Sequence, residues 1–95
     1  MIKMSTSKEE IPRSVMADKF IDVANAFAQT ESKERVSAAI MFAASRYNAF
    51  EISSKSKDVI KDKHDALQWF SAEYRRMLEA NIDDLAGTPA DKDHV

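Results

Sequence analysis

Between Ser14 and Gln29 the apolar residues recur at Met16, Phe20, Val23 and Phe27, with a flanking row at Ala17, Ile21, Ala24 and Ala28. Asp18, Asp22, Asn25 and Gln29 take the opposite side. Steps of three and four put each set on one face of a helix, so this segment is predicted as the first helix. Pro12 fits its first turn, and the polar residues 1–11 are expected to be flexible. The stretch Thr30–Lys33 breaks the pattern; Thr30 or Ser32 can cap a second helix, and Glu34 suits its first turn.

That second helix is predicted from Lys33 to Ser53. Its segment Val36–Phe50, VSAAIMFAASRYNAF, has eleven apolar residues and one charge in fifteen positions. A helix apolar nearly all round is expected to be buried on several sides, and Ala38, Ala39, Ala43 and Ala44 would let neighbouring backbones come close. SSKSK at 53–57 is predicted as the second turn. A third helix starts near Asp58 with Leu67, Phe70, Tyr74, Met77, Leu78, Ile82 and Leu85 on one side. Lys61 with Asp65, and Arg75 with Glu79, stand four apart on what reads as a solvated face. Gly87 followed by Pro89 stops the helix, and residues 87–95 are expected to be disordered.

Three helices with short links predict an all-α fold, an antiparallel three-helix bundle over residues 12–86 with a long C-terminal helix. At the rise of an α-helix the three run about 24, 32 and 43 Å. With a turn near residue 55, Leu78 lies opposite the start of the second helix, and Ile82 and Leu85 overhang. Either a second copy covers them or the helix bends near Asn81; a homodimer is the preferred expectation.

Composition narrows the functional classes. One Gly and two Pro in 95 residues suit long uninterrupted helices, and the balance of 44% hydrophobic with 32% charged is that of a globular chain. Net charge is -2, with seven basic and six acidic residues in 1–50 and seven basic and ten acidic in 51–95. Acids are interspersed with the bases, so no basic face of the kind that neutralises phosphates is formed, and no nucleic-acid partner is expected. Without cysteine there is no disulfide framework, thiol nucleophile or thiolate metal site. The N-terminal MIKMSTSKEEIP lacks an apolar stretch long enough for a signal peptide, and no later segment spans a bilayer. No membrane partner is expected, and the location is expected to be cytoplasmic.

The run R-V-S-A-A-I-M-F-A-A-S-R-Y-N-A-F at 35–50 resembles the signature of a family of small proteobacterial proteins classed as a domain of unknown function. A-D-K-F-I-D-V-A-N at 17–25, D-A-L-Q-W-F at 65–70 and Y-R-R-M-L-E-A-N-I-D-D at 74–84 extend the resemblance over roughly residues 15–85. The family pattern has Ala-Arg-Phe where this chain has Ser45-Arg46-Tyr47, so Arg46 is kept and its neighbours differ. The resemblance implies a bacterial cytosolic protein and carries over no activity.

Arg46 is the first chemical candidate. Its helical neighbours Ala39, Phe42, Ala43, Ala49 and Phe50 are all apolar, and an unpaired buried charge is too costly to keep. Folding back through the two turns brings position 46 near Asp18 or Asp65, so a structural ion pair with one of them is expected. The alternative is an anion or metabolite site built on Arg46 with Tyr47, Asn48 and His64, because the planar guanidinium suits carboxylate and phosphate. His64 falls beside the apolar face and reads either as a group titrating near neutral pH or as a rim histidine bonded to Tyr47. His94 lies in the tail.

Asp58, Asp62 and Asp65 share a side of the third helix but alternate with Lys61 and Lys63, which reads as a solvated acidic face rather than a metal site. Neither histidine has a Glu three before it, as di-metal bundles require, and Gly87 cannot form a Gly-rich phosphate loop alone. No catalytic constellation, cofactor or metal is therefore expected. Trp69 has Ala66, Glu73 and Arg76 as neighbours, away from the Leu67–Tyr74 stripe, and reads either as an interface anchor or as a cover for the edge of the bundle. The expectation is a non-enzymatic interaction protein that self-associates through Leu78, Ile82 and Leu85, and that also meets another bacterial protein.

Overall fold

A computed structural model describes residues 10–87. These residues form three helices: α1 (Arg13–Phe27), α2 (Lys33–Lys55) and α3 (Val59–Ala86). The chain is all-α among the described residues, with the long C-terminal helix that the apolar spacing predicts. The expected tail from Thr88 onward and the segment before Glu10 lie outside the described residues.

The chain divides into two compact units, one up to Asn48 and one from Ala49 onward. The first unit holds α1 and the first part of α2. Pro12 precedes α1 with φ -55° and ψ 143°, and its carbonyl accepts from the Val15 and Met16 N–H groups at 3.0 and 3.1 Å. A proline here lacks only a donor that the helix start would leave unpaired anyway. Ser32 caps α2, its hydroxyl accepting from the Arg35 N–H at 3.2 Å, while Arg35 also pairs with Glu31 at 3.2 Å. Ala24 is buried at 9% exposure and Val36 is half-buried. A short side chain at position 24 admits close approach of the neighbouring backbone.

Around that small contact the apolar side chains stay open. Phe20, Val23 and Phe27 on α1 and Ile40, Met41, Phe42 and Tyr47 on α2 are all exposed. The expectation that α2 is buried on several sides is therefore corrected: no residue of α2 is buried. The reason is geometric. A pair of helical segments covers only the stripe along which the two touch, and the rest of an all-round apolar helix needs further neighbours.

The second unit holds the end of α2 and α3. The expected turn at 53–57 begins later, because Ser53, Ser54 and Lys55 are helical. Ser54 satisfies its hydroxyl within the helix by donating to the Glu51 carbonyl at 2.8 Å. Lys55 pairs with Glu51 at 3.0 Å and sits at the C-terminal end, where a cation suits the helix dipole. At the far end, Gly87 takes φ 47° and donates its N–H to the Asp83 carbonyl at 2.7 Å. Positive φ of this kind is where glycine ends helices without a steric cost.

Candidate functional site

The three residues between α2 and α3 decide which side of α3 faces α2 within the second unit. Ser56, half-buried, donates its hydroxyl to Asp62 Oδ2 at 2.6 Å and accepts the Asp58 N–H at 3.0 Å. Asp58 in turn caps α3, with Oδ1 accepting the Lys61 N–H at 3.1 Å. The Asp58 cap and Asp62 in the first turn also favour the positive end of the helix dipole. Asp62, Ala66, Trp69 and Glu73 follow at steps of four, three and four, so they share one face. Tying Asp62 to Ser56 turns that face toward the end of α2. Ala66, Phe70 and Glu73 are accordingly half-buried, and so are Glu51 and Ile52 across from them.

An open groove of about 450 Å³ follows this contact, lined by Glu51, Ile52, Lys55, Ser56, Asp62, Asp65, Ala66, Trp69 and Phe70. Trp69 stands edge-on to Phe70 at 5.0 Å and remains 60% exposed. Arg76 donates to Glu73 at 2.8 Å, and that hydrogen bond, then the charge of the carboxylate, holds the guanidinium above its ordinary pKa. Among the described residues no group of three or more His, Asp or Glu is placed to hold a metal ion.

The apolar side of α3 points elsewhere. Leu67, Tyr74, Met77, Leu78 and Ile82 are exposed, Leu85 is 76% exposed and Ile60 81%. At about 100° per residue, Ile60, Leu67 and Leu78 lie on the side of the helix nearly opposite Asp62 and Trp69. Of the apolar residues that share this side, Phe70 at its margin is the one that is half-buried in the second unit. The stripe is outward because the Ser56–Asp62 bond has already chosen the other face.

The other predicted residues fall as follows. Arg46 is exposed and belongs to the first unit; it makes no ion pair with Asp18, also exposed and in the same unit. An exposed guanidinium is solvated by water and does not need a carboxylate. Asp65 and His64 belong to the second unit, where Asp65 lines the groove and His64 is exposed. Tyr47 is exposed and Asn48 half-buried. Neither expected pair, Lys61–Asp65 nor Arg75–Glu79, forms; the ion pairs found are Glu31–Arg35, Glu51–Lys55 and Glu73–Arg76. Each has the acid before the base, the favoured order along a helix, whereas both expected pairs have it reversed. Ser56 and Asp62 were not singled out as a pair by sequence reasoning. Their signal is a serine followed two and six residues later by aspartates at a helix start.

This is an all-helical protein whose second unit turns an apolar stripe outward. The chain belongs to the DUF3144 family, described as a protein of unknown function, whose model matches residues 15–86. No curated protein and no solved structure matches it.

Proposed function

We propose that this chain is a non-enzymatic interaction protein of the bacterial cytosol that self-associates through α3. The observation that supports this is the stripe of Ile60, Leu67, Leu78, Ile82 and Leu85, five large aliphatic residues on one helix that are all exposed. Contiguous exposed apolar side chains of this size mark surfaces that another molecule covers. Among the described residues no helix is long and apolar enough to cross a membrane, so a bilayer-spanning role for the stripe has no support. Its non-enzymatic character rests on a helical region with a single histidine and a chain with no cysteine.

The alternative of an anion site on Arg46 gains no support: neither of the two grooves described includes Arg46, Tyr47, Asn48 or His64. Sedimentation equilibrium at tens of micromolar tests the reading. The expected result is a dimer, converted to a monomer of unchanged helicity by Leu78→Asp with Leu85→Asp. A wild-type monomer, or a double variant that keeps the dimer mass, overturns the role given to α3.

A further inference from the structure

Resting on that self-association, we infer that two copies pair their α3 helices antiparallel in a single register. From Ile60, steps of four and three taken alternately trace one line down α3 to Leu85. Its apolar members are Ile60, Leu67, Tyr74, Leu78 and Leu85, and its polar members are His64, Ser71 and Asn81. All eight are exposed. This alternation is the spacing of a coiled-coil seam, in which side chains of one helix fill gaps on another.

The seam is self-complementary when one helix is reversed. With the two-fold axis midway between Ser71 and Tyr74, Ile60 of one copy meets Leu85 of the other, and Leu67 meets Leu78. His64 then faces Asn81, and Ser71 faces the Tyr74 hydroxyl. Apolar residues meet apolar ones, and groups able to hydrogen-bond meet their like, as a buried polar seam residue requires if it is to fix a register.

Charge selects the direction. Lys61 and Lys63 lie near the start of α3, and Asp83 and Asp84 near its end. All four are exposed, and none makes an ion pair among the described residues. A parallel pair would set each cluster beside its own copy and align the two helix dipoles. The antiparallel pair sets Lys63 of one copy beside Asp84 of the other, while Asp83 lies on the far side of the helix, and it opposes the dipoles. The face tied to α2 through Asp62 lies nearly opposite the seam, so the two contacts do not compete.

The absence of cysteine allows a spin label at one chosen position of the full chain. In Lys61→Cys the antiparallel register puts the two labels about 35 Å apart along the helix axis, whereas a parallel pair brings them within about 15 Å. Reversing the acidic end with Asp84→Lys should weaken the dimer about fivefold, and adding Lys63→Asp should restore it. A dimer with the short label distance, or one unaffected by the reversal, overturns the antiparallel register while leaving self-association through α3 standing. A monomer in every variant, wild type included, overturns both.

Discussion

The two links of this chain are closed by different means. Between α1 and α2 the backbone does the work: the Thr30 and Glu31 N–H groups donate to the Phe27 carbonyl at 3.1 and 2.9 Å, and Gln29 donates to Ala26 at 3.2 Å. Each link also has a side-chain cap, Ser32 or Asp58, but only between α2 and α3 does a side-chain tie, Ser56 to Asp62, join the link to a particular face of the next helix. A backbone-closed link accepts many residue types and says little about which faces meet. A link closed by a hydroxyl on a particular carboxylate names one face of the next helix. That difference explains why the first unit is held by small-residue contact at Ala24, while the second is oriented by a polar tie and leaves its largest apolar surface outward.

The contrast is broken most forcefully at Ala24. Ala24→Leu should cost about 1–3 kcal/mol by forcing extra methylenes into the buried spot of the first unit. Ala66→Leu, at the half-buried contact of the second unit, should cost under about 1 kcal/mol, because an open groove can take the added volume. Urea unfolding followed by circular dichroism measures both, and equal losses would show that the two contacts are alike. Next in size is Ser56→Ala, which removes a donor to Asp62 and an acceptor for Asp58 together. It should cost about 1–2 kcal/mol. Thr30→Ala in the first link should stay within about 0.5 kcal/mol. A Thr30 variant as damaging as the Ser56 one would remove the distinction between the links.

The helices themselves were readable because spacing by three and four is a local property. Met16, Phe20, Val23 and Phe27 announce α1, Ser32 and Asp58 sit where caps belong, and Gly87 marks the end of α3. What each helix turns its apolar side toward is not local. Spacing places Leu67, Tyr74 and Leu78 on one side of α3 but leaves open which neighbour that side meets. The direction α3 takes in its unit depends on one contact between Ser56 and Asp62, six residues apart across a turn. By sequence alone Asp62 reads as one member of a solvated acidic row. At Arg46 a related point holds: apolar helical neighbours imply burial only if something covers them, and Phe42 and Phe50 beside it are exposed.

Ion pairs should not distinguish the two regions, and the smallest effect checks this. Glu31–Arg35 brackets the start of α2 and Glu51–Lys55 its end, and both are exposed pairs with the acid first. Neutralising the acid of either pair, Glu31→Gln or Glu51→Gln, removes the pair and leaves its base in place. Each substitution should lower stability by about 0.3–0.5 kcal/mol, more at low salt than at high, and by the same amount at both ends. A loss confined to Glu51–Lys55 would mean that this pair, beside Ser56, helps hold the end of α2 against α3, and the tie between those helices would then be partly ionic. Equal losses leave the Ser56 hydroxyl as the group that decides which face of α3 is turned away from α2.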